Sequence, residues 1–489
     1  MATRDTGFSL GQLFPGAFPD APAQRVGGVA FDSRKVVSGD AFVALAGSRA
    51  DGGRFIADAV AKGAVAIVSA QDRPADLPAQ VVFARVEDPR RALALAAAVV
   101  HPRQPAMIVA VTGTSGKSSV AEFTRQIFMA CGRKAASLGT IGVVTESGAD
   151  YGSLTTPDPL SLHASLDRLA GDGITHLAME ASSHGLDQRR LDGVRLSAGA
   201  FINLGHDHLD YHADVAEYLA AKLRLWELLP HGAPVVINRD GAMADKAEQA
   251  ARAAGHPVIG VGKGGDRLRL ISVEREGFAQ RLVVEADGVR VPVLLPLAGD
   301  FMAGNALVAA GLAVAAGERA EAAVAAFAGL RGVAGRLERV GDFRGGLVVV
   351  DYAHKPDALA AVLATMRPYA TGRLICVFGC GGDRDRAKRP LMGAIAAEGA
   401  DIAIVTDDNP RSEDPAAIRA AIMAAAPGRL REIGDRAEAI ATAVSELRQG
   451  DVLVVAGKGH ETGQIVGDRT LPFSDHAVVL AAIADLAGG

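Results

Sequence analysis

Alanine-rich stretches with apolar residues at helical spacing alternate along the chain with short, nearly continuous runs of Val, Ile and Leu. AMIVAVTG, THLAMEA, LICVFGC, DIAIVTD and DVLVVAG are runs of the second kind. Each reads as a strand buried between helix layers, and each ends in glycine or a polar residue. The pattern predicts an α/β fold. HPRQPA (101–106) interrupts it with two prolines after the helix RRALALAAAVV, and reads as a linker. A second boundary is expected near GVAGRLERVG (332–341), after the helix AEAAVAAFAGL. Three α/β segments follow, 1–104, 105–335 and 336–489. In open α/β sheets ligands bind where loops leave the carboxyl ends of strands, so chemistry is expected in the loops after these runs.

Composition narrows the class. The 489 residues are 49% hydrophobic and 22% charged, enough for several ordinary cores. A net charge of -5, with no basic run interleaved with aromatics, argues against a nucleic-acid partner. Cys131, Cys376 and Cys380 are too few for a disulfide framework and point to a reducing compartment. The first residues hold no apolar signal core, and no apolar run approaches the ~18 residues of a membrane span. A soluble, cytoplasmic protein without membrane insertion is expected.

VTGTSGKSSV (111–120) follows a strand and opens the helix AEFTRQIFMA. Gly113, Thr114, Ser115 and Gly116 would let backbone N–H groups close around phosphate, aided by the helix N-terminus at Ser118 and Ser119. Lys117 would reach the β/γ oxygens, and Ser118 is placed to ligate Mg²⁺. Val111 stands where the strict G-x-x-x-x-G-K-[ST] pattern has its first glycine. The competing reading is a glycine-rich turn with an incidental lysine; the order strand, loop, helix favours nucleotide.

Glu180, in MEASSHGLDQRR (179–190), stands at the end of a strand and is a natural Mg²⁺ ligand. GHDHLDYH (205–212) gathers His206, Asp207, His208, Asp210 and His212. That density invites a zinc reading, yet further cysteines or histidines at a definite spacing are not obvious. A Mg²⁺ or Mn²⁺ site sharing one histidine with Glu180 fits an ATP enzyme better. DDNPRSEDP (407–415) sets Arg411 among Asp407, Asp408, Glu413 and Asp414. Asp414 and Pro415 read as a helix N-cap and first turn; helix punctuation leaves DNPR unexplained.

Together the motifs resemble a known family. TGTSGKSS, LTTPDP (154–159), MEASSHGLDQRR, GHDHLDYH with YLAAKLRLW (218–226), GRLE (335–338), DYAHKPD (351–357), FGCGGDRDRAKRP (378–390), DDNPRSEDP and AGKGHE (456–461) occur in the order found in the Mur ligases. DSRKVVSGDAFVALAGSRADGGRFI (32–56) also matches, so the likeness runs nearly end to end, and it is nearest to the MurE type. The resemblance implies a three-domain architecture: a UDP-binding N-terminal domain, a central P-loop ATPase-like domain and a Rossmann-like C-terminal domain. It implies that ATP phosphorylates the D-glutamate side-chain carboxylate of UDP-MurNAc-L-Ala-D-Glu, and that an amino acid's amine then attacks the acyl phosphate.

Residue roles follow from the resemblance in the same way. Ser118 and Glu180 would bind one of two Mg²⁺ ions, and His208, Glu180 and Lys222 would build the second site. In the family the lysine of YLAAKLRLW is carbamylated, turning a cation into an anionic oxygen ligand; CO₂ adds only to a neutral amine, which desolvation favours. Asn305 would meet the adenine, and Arg336 and Asp351 the phosphates and ribose. Met302 and Lys355 depart from the commoner pattern at this end. Ser33 with Ser48, Arg49 and Ala50 would hold uridine; Thr155, Thr156, Ser182, Gln188 and Arg190 the muramoyl-peptide. Thr155 and Thr156, ahead of Pro157, also read as a plain helix cap.

The same resemblance turns the DNPR loop toward the incoming amino acid. A buried, unpaired Arg411 would pair with the distal carboxylate of meso-diaminopimelate, while Asp408 and Asn409, beside Pro410, would accept from its ammonium. Arg389, Gly457 and Glu461 would hold the rest. Lysine lacks that carboxylate and would be rejected. Competing readings are a lysine-adding ligase, a folylpolyglutamate synthetase-like ligase, a non-catalytic ATP-binding module and a zinc hydrolase built on HDHLDYH. The family implies a monomer that closes over its substrates.

Overall fold

The computed structural model describes residues 7–46, 52–150, 154–205 and 211–488. The chain forms two compact units, Met1–Leu270 with Val284–Val291 and Asn305–Ala326, and Ile271–Val283 with Pro292–Gly304 and Phe327–Gly489.

Beside the two-stranded pair Phe8–Ser9 and Arg25–Val26, the first unit holds two larger sheets. Strands Val29–Ala30, Ala41–Val43, Ala66–Ser69 and Val82–Arg85 pair in chain order, all parallel. Helix Pro89–Val100 follows, with Pro89 in its first turn and the Asp88 carboxylate accepting from Arg91 N–H. HPRQPA is tied to the segments that follow: Gln104 Nε2 donates to the Gly193 carbonyl at 2.9 Å, and Arg103 pairs at 2.7 Å with Asp167 of helix Pro159–Gly171.

The second sheet orders the parallel strands Ala135–Gly139, His176–Glu180, Met107–Thr112, Ala198–Phe201, Val235–Asn238 and Val258–Gly262 side by side. AMIVAVTG and THLAMEA are therefore adjacent central strands, and their continuous apolar runs are buried on both faces. Met107–Thr112 lies between His176–Glu180 and Ala198–Phe201, so Gly113, Glu180 and Asn203 emerge at neighbouring carboxyl ends. The division between the two units falls within the next strands, Leu268–Glu276, Ala279–Ala286 and Val289–Leu295.

In the second unit, Glu338–Phe343 runs antiparallel to Gly346–Asp351. The sheet continues in parallel through Val452–Ala456, Leu374–Phe378, Ile402–Val405 and Leu430–Glu432. Helices Pro356–Met366, Lys388–Gly399 and Pro415–Met423 pack in succession, and Arg436–Ser445 packs on Asp475–Gly488. Val348, Val350, Ile375, Val377, Leu453 and Val455 share one core with Ile440, Val444 and Val479. Among the described residues, no helix is long and apolar enough to cross a membrane.

Candidate active site

Helix Lys117–Ala130 starts at Gly116, whose φ of 88° is left-handed; a Cβ there would meet Asn305 Oδ1 at 2.6 Å. Glycine thus brings the loop and Asn305 together. Lys117 Nζ donates to the Gly113 and Thr114 carbonyls, each at 2.9 Å. Lys222 is 1% exposed, and its Nζ donates to the same Gly113 carbonyl at 2.8 Å, 4.3 Å from the Tyr218 ring centre. Its helix, Val215–Leu223, is capped by Asp214, which accepts from Glu217 N–H. Asn203 Oδ1 accepts from the N–H groups of Thr114 and Ser115, both at 3.1 Å. Tyr218 Oη lies 3.2 Å from Thr114 Oγ1.

Glu180 is buried, and its carboxylate accepts from Thr140 N–H at 2.7 Å. A gap of about 10 Å³, lined by Ser118, Glu122, Ser137, Gly139 and Glu180 among others, has room for one water-sized group. The Glu122 carboxylate there accepts from Ser137 Oγ at 2.8 Å and pairs with Arg125. The surface of the gap is mostly apolar carbon, and no group of three or more His, Cys, Asp or Glu side chains that could hold a metal gathers among the described residues. His206, Asp207, His208 and Asp210 lie outside the described residues. His212 is buried among the rings of His184, Tyr211 and Tyr218, and packing accounts for it.

From Glu180 a chain of hydrogen bonds leads outward. Thr140 Oγ1 lies 3.0 Å from Thr155 Oγ1, and Thr156 Oγ1 donates to the Glu180 carbonyl at 3.0 Å. Ser182 N–H donates to Thr156 Oγ1 at 3.1 Å, and Arg190 Nη1 donates to the Thr156 carbonyl at 2.6 Å. Arg190 Nη2 reaches Gln188 Oε1 at 2.7 Å, and Gln188 Nε2 reaches Tyr211 Oη at 3.3 Å. The helix-cap reading of the two threonines fails: Asp158 caps helix Pro159–Gly171 and accepts from Ser161 N–H. Burial favours loss of the Arg190 proton, pushing its pKa down. Ser33 is buried where a short turn opens, and its carbonyl accepts from Lys62 Nζ at 3.0 Å. Ser48, Arg49 and Ala50 lie outside the described residues.

In the second unit, both oxygens of Asp351 accept backbone N–H groups, from Leu337 and Ala353, each at 2.8 Å. Burial raises the Asp351 pKa. The Arg336 guanidinium carbon lies 4.9 Å from the Tyr352 ring centre. Met302 is buried, and Lys355 precedes helix Pro356–Met366 without capping it.

The DNPR turn now resolves carboxylate by carboxylate. Asp407 pairs with Arg419, Glu413 with Arg389 at 2.9 Å and Arg386 at 3.1 Å, and Asp414 caps helix Pro415–Met423. Asp408 is buried and its carboxylate has no hydrogen-bond partner among the described residues. A Cβ on Gly457, whose φ is 117°, would meet Asp408 Oδ2 at 2.6 Å. Arg411 holds a left-handed φ of 52°, and its Nη1 donates to the Gly382 carbonyl at 2.8 Å.

Two expectations are corrected here. Arg411 is half-buried with a carbonyl partner, rather than buried and unpaired, although no carboxylate pairs with it among the described residues. Asn409 does not offer its oxygen: Oδ1 already accepts from Lys458 Nζ at 2.8 Å and Ile465 N–H at 2.9 Å. Its NH₂ donates to Glu461 Oε2 at 2.9 Å.

Three family models match in chain order: Mur ligase family, catalytic domain, over 25–101; Mur ligase middle domain over 111–313; and Mur ligase, glutamate ligase domain, over 335–459. The UDP-N-acetylmuramoyl-L-alanyl-D-glutamate–2,6-diaminopimelate ligase of Bradyrhizobium diazoefficiens is 60% identical over 471 residues, 95% of this chain and 96% of its own. The chain belongs to the Mur ligase family. A ligase of the same name from Caulobacter vibrioides is 55% identical over 97% of this chain and 98% of its own. A solved structure under that name is 33% identical with a TM-score of 0.73, covering 99% of this chain and all of that one (100%). Folylpolyglutamate synthase of Mycobacterium tuberculosis shares the fold at 19% identity, covering 82% of this chain and 95% of its own with a TM-score of 0.61.

Within this Mur ligase the sequence reading missed Asn203, Tyr218 and Lys458. Asn203 and Tyr218 brace the loop from Gly113 to Gly116 from distant positions: nothing local marks Asn203, whereas Tyr218 opens YLAAKLRLW, where Lys222 alone was given a role. Lys458 is different. It stands inside AGKGHE, directly after a buried strand, and it is 0% exposed.

Proposed function

We propose that the chain is the ATP-dependent ligase that joins meso-2,6-diaminopimelate to the D-glutamate side-chain carboxylate of UDP-N-acetylmuramoyl-L-alanyl-D-glutamate, in peptidoglycan synthesis. The observation that carries the amino-acid assignment is the pairing in the DNPR turn of Arg411, free of any carboxylate partner among the described residues, with the unpartnered carboxylate of Asp408. A cation and an anion three residues apart in one turn complement the zwitterionic end of diaminopimelate. The names of the similar ligases from Bradyrhizobium diazoefficiens and Caulobacter vibrioides support the same substrates.

A carboxylate is a poor acyl donor and needs activation. The γ-phosphoryl group of ATP passes to the glutamate carboxylate oxygen and ADP leaves. The amine nitrogen then attacks the acyl carbon, and the C–O bond to phosphate breaks. Lys117 and the backbone from Gly113 to Ser119 would hold the transferring phosphate. Asn305, Arg336 and Asp351 would hold the rest of the nucleotide. Ser118 and Glu180, with His208 and a carbamylated Lys222, would hold two Mg²⁺ ions, which supply charge neutralisation when bound. Ser33, Ser48, Arg49 and Ala50 would take the uridine end. Thr155, Thr156, Ser182, Gln188 and Arg190 would take the muramoyl-peptide, and Arg389, Asp408, Arg411, Gly457 and Glu461 the amino acid. Three domains, 1–104, 105–335 and 336–489, in a cytoplasmic monomer complete the reading.

The test is phosphate release with Mg-ATP and UDP-MurNAc-L-Ala-D-Glu, comparing meso-diaminopimelate, L-lysine and no amino acid. Turnover with diaminopimelate alone is expected. Turnover with lysine would keep the ligase and overturn the role given to Arg411. Absence of any amino-acid-dependent turnover would overturn the ligase reading.

A further inference from the structure

A lysine that buries completely is costly where a leucine or methionine would fill the same space. Lys458 is 0% exposed at the end of strand Val452–Ala456. Its Nζ donates to Asn409 Oδ1 at 2.8 Å and to the Gly463 carbonyl at 2.9 Å, and lies 3.6 Å from Glu461 Oε2. Asn409 Oδ1 also accepts from Ile465 N–H at 2.9 Å. An ammonium and a backbone N–H are donors only, so both must face the amide oxygen and the Asn409 side chain cannot turn over. Its NH₂ is thereby directed at Glu461 Oε2, 2.9 Å away.

We propose that Lys458 is the positioning residue of the amino-acid site, holding the Asn409 amide and through it the Glu461 carboxylate as acceptor for an ammonium group of the incoming amino acid. Glu461 is one-third exposed (33%), whereas Lys458 and Asn409 are buried beneath it. The buried Arg436 is paired with Asp475 at 2.7 Å, and among the described residues the ion-pair partner of the Glu461 carboxylate is Lys458, 3.6 Å away. Without Lys458, the Asn409 amide and Glu461 lose their common anchor.

The inference rests on reading the DNPR turn as the amino-acid site, and three variants of the full chain test it. Lys458→Met is expected to raise KM for meso-diaminopimelate tenfold or more while KM for ATP and the UDP-linked substrate stays within twofold. Lys458→Arg, which keeps charge and donors, is expected to recover part of that loss. An unchanged KM for diaminopimelate would overturn the proposal. So would an equal worsening of all three KM values together with a fall in the unfolding midpoint, because that is a merely structural role. Asn409→Asp keeps an acceptor toward Lys458 and exchanges the NH₂ donor for an oxygen, so it tests the orientation even if Lys458→Met does not fold. Weaker diaminopimelate binding is expected; tighter binding would mean that the Asn409 oxygen faces the ligand. Failure of the unaltered protein to turn over with any amino acid would instead sink the ligase reading, and this inference with it.

Discussion

Lys117 and Lys222 donate to one oxygen: the Gly113 carbonyl accepts from Lys117 Nζ at 2.9 Å and from Lys222 Nζ at 2.8 Å. Two ammonium groups on one acceptor repel each other, and more strongly where water is excluded. Carbamylation of Lys222 would replace one cation with an anion and turn that repulsion into attraction. Lys222→Met keeps the volume of this buried position and removes the amine. We expect kcat to fall by at least about a hundredfold, the scale of losing one preorganised electrostatic contact, with ATP affinity changed less in calorimetry. CO₂-depleted buffer should lower the activity of the unaltered protein and bicarbonate restore it. An unaltered protein indifferent to bicarbonate would remove the carbamate from the account.

Arg411 combines a left-handed backbone with the recognition role proposed for it. Its φ of 52° costs an L-residue about 1 kcal/mol or more. Arg411→Gly should therefore be about 1 kcal/mol more stable to denaturant than Arg411→Ala. Both should lose selectivity for diaminopimelate over lysine by roughly a hundredfold or more while still binding ATP. Selectivity retained in either variant would refute the assignment of Arg411.

Arg436 and Asp475 form an ion pair with both side chains at 0% exposure and Nη2 to Oδ2 at 2.7 Å. Asp475→Asn leaves the guanidinium buried without its counter-charge, at a cost of about 3–5 kcal/mol in chemical unfolding. The double variant Arg436→Met/Asp475→Leu should regain most of that loss. A single variant as stable as the parent would show the pair to be dispensable.

His163 is buried in helix Pro159–Gly171, with Nε2 3.3 Å from the Asp192 carbonyl, and burial pulls its pKa down to about 4. The unfolded imidazole titrates near 6.5, so the unfolded state binds the proton first as pH falls. Its contribution is complete above about pH 6.5 and lost toward pH 4, by about 3 kcal/mol over that window. The unfolding midpoint of the unaltered protein should drop across this range more steeply than that of His163→Leu. Parallel slopes would show that His163 is not the group responsible.

Local order was legible because its causes are local. Val/Ile/Leu runs bury on both faces of a parallel sheet wherever helices cover it, so AMIVAVTG and DVLVVAG could be read as strands without a partner in view. The phosphate loop was legible for the same reason: strand, glycines, lysine and helix start all fall within ten residues of one another. Asp414 with Pro415 was readable as a cap on the same principle, since an N-cap bonds within its own first turn.

Partner choice was not legible, because it depends on which segments the sheets bring together. LTTPDP offered Thr155 and Thr156 as a cap; only the folded chain shows Asp158 in that place and Thr156 against Glu180. In DDNPRSEDP the residue pattern singles out Asp414 as a cap but does not separate Asp407, Asp408 and Glu413. Arg419, Arg389 and Arg386 are brought to Asp407 and Glu413 by the fold, and the Asp408 carboxylate is left without a hydrogen-bond partner among the described residues. The sequence by itself determined the α/β class, the motif order and the residues available for chemistry, since these follow from periodicity and short-range bonding. Tertiary structure decided which of those residues are neutralised, which are oriented, as Asn409 is by Lys458, and which remain open, because charge and hydrogen-bond pairing act through space between segments distant in the chain.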